Sequence, residues 1–362
     1  MEAAVSKQST VLVTGVGGRS VGHQILHALL LLGDRYKVIC CDADSYAYGL
    51  YQVQDRYVVP GATQPNYLSA ILEIIRRHEI DILLPGTEAE IRILVHHREA
   101  LAQAGCLLVT SPPDVIDLCG DKGRLYQWLA AQNIGVPHSA GTAEWRQLAD
   151  RVGYPLVAKP AGSSGGSRNV EIIASDAEII DYIARFPGPE SEIVFQEYVG
   201  DATSEYTVGV VVSQSGAIID SIVLHRHLTG LSLGTTRVIA GKRYALSTGY
   251  SQGFIIRHPQ IQAFCEDLAI QMGMRGPVNI QLRLHQGEIK VFEVHPRFSG
   301  TTSIRGDVGL NEPDIVIRDH LLGEPIGRQP YRTDVAAIRA FKTIIVPMED
   351  LTAVEHLPLS AG

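Results

Sequence analysis

EIKVFEVHPRFSGTTS, at residues 288–303, is the stretch of sequence that decides the fold. Its first half predicts a β-strand, and because alternate residues of a strand share a face, Glu293 and His295 lie together, with Arg297 beside them. The preceding NIQ at 279–281 predicts a partner strand that carries Gln281. Carboxylate and amide oxygens are ligands that Mg²⁺ accepts, and an arginine can neutralise a transferring phosphoryl group. The two strands therefore predict a hairpin that binds metal and phosphate, with a plain polar surface as the alternative.

A second motif with phosphate-binding character lies upstream. Residues 154–159 predict a strand that ends in Lys159, residues 160–167 form a loop rich in glycine and serine, and residues 169–173 predict the returning strand. Lysine supplies positive charge, and glycine lets backbone N–H groups approach an anion. The loop lacks the GK[ST] ending and the following helix of a P-loop. It therefore predicts a hairpin that covers a phosphate, with an ordinary flexible turn as the alternative.

The beginning of the chain alternates strands with helices. Residues 9–13 predict a strand, residues 14–22 a glycine-rich turn that opens a helix, residues 36–41 a second strand, and residues 80–85 a third strand after a helix at 67–78. Strands that alternate with helices indicate a parallel sheet.

The glycine-rich turn also allows a dinucleotide-binding interpretation. Gly15 and Gly17 open the helix, and Asp42 follows near the position of a ribose-binding acid. Ser20 stands where that motif requires its third glycine. The alternative is a tight turn between strand and helix in a Rossmann-like domain with another task.

The composition limits the class of protein. A chain of 362 residues is longer than one hydrophobic core usually organises, so we expect two or three domains. A net charge of −8 argues against nucleic acid as a partner. No apolar stretch approaches the roughly 20 residues of a membrane span, and the first ten residues lack the apolar core of a signal peptide. The five cysteines form no CxxC pair, which predicts buried, reduced thiols in a cytoplasmic protein.

Five features follow one another along the chain: Lys159 with its loop, the segment QEYV at 196–199, Glu205, Gln281 and the segment EVHPR at 293–297. In this order they resemble the ATP-grasp superfamily, in the branch similar to the large subunit of carbamoyl phosphate synthetase. The resemblance covers nearly the whole chain. It implies an α/β protein of the ATP-grasp fold, with an N-terminal Rossmann-like pre-ATP-grasp domain and two α+β subdomains that clasp ATP. The implied segments are 1–110 for the Rossmann-like domain, 111–198 for the N-terminal subdomain with the phosphate loop, 199–330 for the C-terminal subdomain with metal site and lid, and 331–362 for an extension that packs on the core.

The resemblance also implies roles for individual residues at the nucleotide. Arg297 stabilises the transferred phosphoryl group, Glu205 binds the ribose hydroxyls, and the hinge at 196–199 holds the adenine. The residues expected at the phosphates are Lys122, Lys159, Ser163, Ser164, Gly165 and Gly166, and those expected at the hinge are Gln196, Glu197, Tyr198 and Val199.

The metal site implied by the resemblance departs from the family at one position. Gln281 and Glu293 correspond to metal ligands, and Glu293 is expected to bridge two Mg²⁺ ions. His295 stands where the family usually has asparagine. A neutral imidazole that ligates through nitrogen would favour Mn²⁺ more than an all-oxygen site does. The alternative is a histidine that only forms hydrogen bonds within the hairpin.

Two further segments concern the substrate. Residues 225–253 are rich in glycine, serine and threonine, as expected of a lid that closes over a nucleotide complex. Arg226 and Arg237 in this segment are candidates for contact with phosphate or carboxylate, with solvated charges as the alternative. Arg305, which follows the metal hairpin, is the candidate anchor for an acid substrate through bidentate pairing.

The resemblance implies an ATP-dependent ligase that joins a small-molecule carboxylate to an amine through an acyl phosphate. One set of motifs makes carbamoyl phosphate synthesis itself unexpected, because that subunit holds two homologous halves. Other carbamoyl or carboxyl phosphate chemistry, a nucleotide-dependent oxidoreductase and a non-catalytic ATP-binding regulator remain the alternatives. ATP and Mg²⁺ are the expected cofactors, no membrane or nucleic acid is an expected partner, and a homodimer is the commonest closed assembly.

Overall fold

The structure is a computed structural model that describes residues 8–161, 169–186 and 193–357. Helices and strands alternate through its first third, and strands dominate the rest. The strands are β1 (Thr10–Thr14), β2 (Lys37–Asp42), β3 (Arg56–Val58), β4 (Ile82–Leu84), β5 (Leu107–Leu108), β6 (Ser139–Ala140), β7 (Leu156–Pro160), β8 (Glu171–Ile173), β9 (Ile193–Glu197), β10 (Glu205–Val212), β11 (Ile218–Arg226), β12 (Leu233–Ile239), β13 (Lys242–Ser247), β14 (Gly253–Ile256), β15 (Gly276–His285), β16 (Glu288–His295), β17 (Val335–Ala337) and β18 (Glu355–His356). The helices are α1 (Val21–Leu30), α2 (Tyr67–His78), α3 (Glu88–Leu94), α4 (Arg98–Gln103), α5 (Pro113–Gly120), α6 (Lys122–Ala131), α7 (Trp145–Val152), α8 (Asp176–Arg185), α9 (Pro259–Gln271), α10 (Thr302–Asp307), α11 (Glu312–Val316) and α12 (Met348–Thr352). None of the helices in the described ranges is both long and apolar enough to cross a membrane.

The first sheet is parallel, as its alternating pattern predicts. Its strand order is β18-β3-β2-β1-β4-β5, and every pair in it runs parallel. Helix α2 packs with Leu12, Ile39 and Leu83 on one face, and α1 packs with Val11 and Val13 on the other. Burial on both faces explains why these strands are apolar without alternation. The carboxyl ends of β1 and β4 consequently lie side by side at one edge of the domain.

Two larger antiparallel sheets and a two-stranded one follow in the rest of the described chain. Strands β6-β9-β7-β8 make a four-stranded sheet covered by α7 and α8, and β16-β15-β10-β11-β14-β17 make a six-stranded antiparallel sheet. The segment expected to be a lid contains a two-stranded hairpin, β12-β13, rather than an irregular loop. Alternating side chains in LGTTRVI and KRYALS are compatible with strand pairing despite the small residues.

Helices α5 and α6 belong to the segment 111–198, which the sequence analysis assigns to the N-terminal subdomain. Both helices pack in the core of the six-stranded sheet, where Leu125 and Leu129 meet Val291 and Val294. The four-stranded sheet has a separate core around Trp145, Phe195 and Tyr182. The sequence could not distinguish these cores because both are lined by the same kinds of apolar residues. The four-part division of the chain stays a proposal.

The end of the chain returns to both larger sheets. Strand β17 pairs antiparallel with β14, and β18 adds to the edge of the parallel sheet beside β3. Between them, residues 338–347 run in irregular conformation, with Ile338 and Ile345 more than four-fifths exposed.

Three backbone segments meet closely where β1 turns into α1. A Cβ atom at Gly22 would overlap the carbonyl oxygens of Thr14 and Gly15, and one at Gly86 would overlap that of Thr14 and the Cα of Gly22. Only glycine permits this approach, which brings the ends of β1 and β4 together.

We expect Gly22→Ala to lower the free energy of unfolding by about 1–3 kcal/mol, because backbone atoms cannot yield as a flexible side chain does. Gly61→Ala is the matched control, since no atom lies within 4 Å of its added Cβ. Urea denaturation of both variants checks this. Equal stability of Gly22→Ala and the wild type would contradict the close packing.

Candidate active site

A cleft of about 880 Å³ lies between the parallel sheet, the four-stranded sheet and the six-stranded sheet. Residues from each of these units line it. The first domain contributes residues 19–21 and 86–89, and the four-stranded sheet and its hinge contribute residues 157, 159, 160 and 196–199. The predicted hairpin and the turn after it contribute several residues between 279 and 301. Most of the predicted site residues in the described ranges meet here. They are Lys122, Lys159, Gln196, Glu197, Tyr198, Val199, Glu205, Gln281, Glu293, His295 and Arg297.

The predicted hairpin forms the floor of the cleft. Strands β15 and β16 pair antiparallel with Gln281 opposite Glu293 and Asn279 opposite His295. The Nε2 of Gln281 donates to Oε2 of Glu293 at 2.7 Å, while its Oε1 faces Arg226 at 3.4 Å. Metal ligation through the Gln281 oxygen therefore requires rotation of that side chain.

The His295 ring lies between two carboxylates. Its Nε2 is 3.2 Å from Oε2 of Glu293, and its Nδ1 is 3.2 Å from Oε1 of Glu88, on the first turn of α3. Burial and Arg297 lower the pKa of His295, but the two carboxylates outweigh them and raise it. Burial would raise the pKa of Glu293, yet His295, Lys122 and Lys159 lower it to about 2. The hairpin thus carries an ionised carboxylate and a histidine engaged at both nitrogens.

Glu88 connects the parallel-sheet domain to the hairpin. Its Oε1 accepts from Nε and Nη2 of Arg297, at 3.1 and 2.5 Å. Burial opposes ionisation, but Arg297 and His295 hold the pKa of Glu88 well below its usual range. The sequence analysis did not select Glu88. It follows the buried strand β4, and ligand-binding residues commonly lie at the carboxyl ends of parallel strands, which is the signal that could have found it.

Lys159 is buried and has neutral partners. Its Nζ donates to the Tyr126 hydroxyl at 2.7 Å and to Oε1 of Gln196 at 2.9 Å. Tyr126, which the sequence analysis also missed, donates in turn to the carbonyl of Phe292 at 2.8 Å. That carbonyl is available because the register of β15 and β16 shifts between Gln281 and Leu282, so Phe292 lacks a partner residue in the ladder. Burial lowers the pKa of Lys159 to about 8, against an opposing effect of Glu293.

The predicted hinge lines the cleft beside Lys159. The Glu197 carboxylate accepts from the backbone N–H of His138 at 3.2 Å. The Tyr198 hydroxyl donates to the carbonyl of Ala245 at 2.8 Å and accepts from the N–H of the same residue, which ties the hinge to β13. The Val199 carbonyl accepts from Arg283 at 3.1 Å.

Glu205 is buried between two arginines. Its Oε2 accepts from Nη2 of Arg283 at 2.8 Å, and its Oε1 lies 2.9 Å from Nη1 of Arg226. Burial would raise the pKa of Glu205, but the two guanidinium groups lower it. Oε1 is buried and held by the ion pair with Arg226, so a hydrogen bond from a ligand hydroxyl to this atom requires these side chains to shift.

Arg305 does not line the cleft. It is 2% exposed, and it donates to Oε1 of Glu312 at 2.7 Å and to Oδ1 of Asn279 at 2.8 Å. A guanidinium committed to these partners supports the floor of the cleft, so its predicted pairing with an acid substrate disagrees with this arrangement. The sequence suggested that role because Arg305 follows the hairpin closely, whereas α10 turns its side chain inwards.

The other predicted positions lie in four different environments. Arg226 is buried and lines the cleft. Arg237 lies in β12, where it pairs with Glu178 of α8 at 2.5 Å. The phosphate-loop residues Ser163, Ser164, Gly165 and Gly166 lie outside the described residues. Asp42, which the dinucleotide interpretation requires, accepts from the N–H of Gly17 at 2.9 Å and so holds its own turn.

The residues present fit a magnesium nucleotide. Glu293 is ionised and faces the cleft, Lys159 is a buried cation that has no carboxylate at hydrogen-bonding distance among the described residues, and Glu205 is a buried carboxylate that lines the cleft. Among the described residues, no three His, Cys, Asp or Glu side chains converge in an arrangement that could hold a metal ion. The five cysteines are unpaired and buried, as predicted.

Two protein-family models match parts of the chain. The model described as PylC-like, N-terminal domain matches residues 11–109, and the model described as ATP-grasp in the biosynthetic pathway with Ter operon matches residues 232–344. Residues 232–344 thus match an ATP-grasp family. The predicted resemblance is thereby confirmed.

Carbamoyl phosphate synthase large chains are similar to this protein in sequence. That of Vibrio cholerae is 25% identical over 376 residues, which cover 98% of this chain and 33% of the relative. That of Pseudomonas syringae pv. tomato is 26% identical over 316 residues, which cover 83% of this chain and 28% of the relative. The chain thus spans about a third of the length of these curated relatives.

Solved structures confirm the fold class. N5-carboxyaminoimidazole synthetase from Staphylococcus aureus, complexed with ADP, matches with a TM-score of 0.64 at 13% identity and covers 89% of this chain and 80% of its own. The biotin carboxylase domain of Hydrogenobacter thermophilus 2-oxoglutarate carboxylase, in complex with MgADP, ADP and bicarbonate, matches with a TM-score of 0.60 at 15% identity and covers 89% and 71%.

The lowered pKa of Lys159 predicts a pH-dependent stability. Between about pH 8 and 10.5 the unfolded chain retains a proton on this lysine that the folded protein has lost, so stability rises with pH across this window. Relative to Lys159→Met, the wild type should gain about 2 kcal/mol of unfolding free energy between pH 8 and pH 10. Urea denaturation at several pH values measures this, with Lys37→Met at an exposed lysine as the control. Parallel profiles for wild type and Lys159→Met would contradict the prediction.

Proposed function

We propose that this protein is an ATP-dependent carboxylate-amine ligase, which forms an amide or peptide bond through an acyl phosphate and releases ADP and phosphate. The observation that carries the proposal is the convergence in one cleft of a buried lysine, an ionised glutamate on the hairpin floor and an arginine, Arg297, beside it. Little covalent chemistry is required of the protein in such a reaction, because phosphoryl transfer depends on positioning and charge neutralisation.

The first half-reaction transfers the γ-phosphoryl group of ATP to the substrate carboxylate. An oxygen–phosphorus bond forms to the carboxylate, and the bond between the γ-phosphorus and the bridging oxygen breaks, leaving ADP. Lys159 and Lys122 would neutralise the phosphates, and Arg297 the transferring group. Glu293, with Gln281, would hold Mg²⁺, which supplies further neutralisation of the phosphates when bound. The proposal also includes a second metal ion, ligation of metal by His295 and replacement of Mg²⁺ by Mn²⁺.

In the second half-reaction the amine nitrogen attacks the acyl carbon. A carbon–nitrogen bond forms, phosphate departs with the electron pair of the broken carbon–oxygen bond, and the amine loses a proton. Water would hydrolyse the acyl phosphate, so the reaction requires a sheltered site. The β12-β13 hairpin contacts the four-stranded sheet through Arg237 and Glu178, and Tyr198 is tied to Ala245, which supports its role as the cover.

At the nucleotide, the hinge backbone at 196–199 would bind the adenine, with Glu197 near its amino group, and Glu205 would bind the ribose. Glu205 lines the same cleft as the hinge residues, which supports the ribose assignment. We propose the cytoplasm as the location and a homodimer as the assembly.

The ligase proposal is tested by release of ADP and phosphate from ATP and Mg²⁺ in the presence of pooled carboxylic acids and pooled amines. We expect release that depends on one member of each pool. Lys159→Met and Glu293→Gln should lower the rate at least about a hundredfold, because each removes charge neutralisation of the transition state. Glu288→Gln, on the same strand but exposed, should retain the wild-type rate.

A requirement for the acid pool alone would indicate carboxyl phosphate or carbamoyl chemistry without an amine acceptor. Tight binding of ATP with no release from any pool would favour the non-catalytic regulator and overturn the ligase.

The ribose assignment predicts discrimination against deoxynucleotides. ATP should bind the wild type about tenfold to a hundredfold more tightly than 2′,3′-dideoxy-ATP, because hydrogen bonds to a charged acceptor are strong. Isothermal titration calorimetry measures both affinities. Glu205→Gln, checked for folding by circular dichroism, should reduce the difference, and equal binding of both nucleotides to the wild type would refute the assignment.

A further inference from the structure

The cleft continues past the metal hairpin to the parallel-sheet domain. From Glu293 the contacts run to His295, then to Glu88, and Glu88 belongs to the segment that follows β4. This end is lined by Arg19 and Ser20 after β1, by residues 86–89, and by residues 299–301 after the hairpin. Arg297 contacts Glu88 at this end, whereas Lys159 contacts Gln196 of the hinge, so the proposed reaction assigns the nucleotide to the part of the cleft beside Lys159.

Arg19 is an exposed cation without a partner at this end of the cleft. Within the described part of the chain its guanidinium forms no hydrogen bond, ion pair or aromatic contact. The other cleft arginines differ, since Arg226 and Arg283 pair with Glu205, and Arg297 pairs with Glu88.

A second guanidinium lies behind the wall of the same end. Arg339 donates to Oε1 of Gln24 at 3.0 Å and to the carbonyl of Gly300, and it stacks over the Tyr250 ring at 4.6 Å. All of these partners are neutral, and the buried Nε of Arg339 has no partner in the described residues. Gly300 and Tyr250 line the cleft, so the guanidinium of Arg339 lies directly behind them.

The carboxylates of the cleft do not neutralise these two cations. Glu88 is engaged by Arg297 and His295, and Glu205 by its two arginines. Burial, with smaller contributions from His27 and Arg339, lowers the pKa of the neighbouring His23 to about 4. An anionic group from outside the chain would find there a guanidinium suited to bidentate pairing.

We infer that Arg19 binds a carboxylate carried by the amine substrate, so that the acceptor in the proposed ligation is an amino acid. This inference rests on the proposed function for the identity of that substrate. The carboxylate that receives the phosphoryl group must lie beside Arg297 and Glu293, and the amine must then approach the acyl carbon from the side away from the nucleotide. Arg19 is on that side. It takes the anchoring role that the sequence suggested for Arg305.

The test compares a pool of L-amino acids with the pool of the corresponding amino-acid amides, which keep the amine and lose the negative charge. With ATP, Mg²⁺ and the carboxylic acid pool, the wild type should release ADP at least about tenfold faster with the amino acids. Arg19→Ala should raise the KM for the accepted amino acid about tenfold to a hundredfold, with kcat and the KM for ATP nearly unchanged, and Arg19→Lys should restore part of the loss.

Arg76→Ala is the matched control, because Arg76 is an exposed arginine on α2 of the same domain and lies outside the cleft. It should retain wild-type constants. Equal rates with amino acids and amides, or an unchanged KM in Arg19→Ala, would overturn the inference while leaving the ligase intact.

A binding measurement separates failure of the inference from failure of the ligase. Saturation-transfer NMR of the amino-acid pool with the protein and MgADP reports binding without turnover. Binding that is lost in Arg19→Ala, with no ADP release from any pool, would support the carboxylate site and reject the ligase. Absence of any amino-acid binding to the wild type would overturn the inference.

Discussion

The bridge from Glu88 to His295 and Arg297 is the interaction on which the cleft depends. It joins the parallel-sheet domain to the metal hairpin through one half-buried carboxylate that faces both an imidazole and a guanidinium. Removing one partner of such a group leaves a charge without compensation, which commonly costs several kcal/mol. The bridge fixes the distance between the end of β4 and the end of β16, and with it the width of the cleft between the two domains.

A second buried charge network organises the nucleotide end. Glu205, Arg226 and Arg283 come from three neighbouring strands, β10, β11 and β15, which pair in the six-stranded sheet. Side chains on one face of adjacent strands are close enough to form such a cluster. Arg283 also donates to the Val199 carbonyl, so the network extends to the hinge. Lys159 is held differently, by a hydroxyl and an amide, and its pKa falls because the side chain is buried. The pKa of Glu293 falls for another reason, since His295 and the two lysines lie near its carboxylate.

The cleft therefore differs in charge along its length. Near the hairpin each carboxylate is matched by cations, whereas at the other end neither Arg19 nor Arg339 forms an ion pair with any of the described residues. In a narrow cleft with low-dielectric walls, such an imbalance attracts anions more strongly than the same charges would on an open surface. A protein with an overall charge of −8 thus contains a local positive region that its composition does not reveal.

The sequence determined the parallel sheet, the hairpin with Gln281 opposite Glu293, and strands such as β10 at 205–212, because hydrophobic periodicity and strand alternation are local properties. Its resemblance to the ATP-grasp superfamily also selected most of the cleft residues. Only the tertiary structure decided that α5 and α6 pack on the six-stranded sheet and that Arg305 turns inwards to Glu312. Likewise, Glu88, Tyr126 and Arg19 enter the cleft through contacts between segments distant along the chain. Such contacts depend on how the sheets pack against one another, and no local pattern of residues encodes that packing.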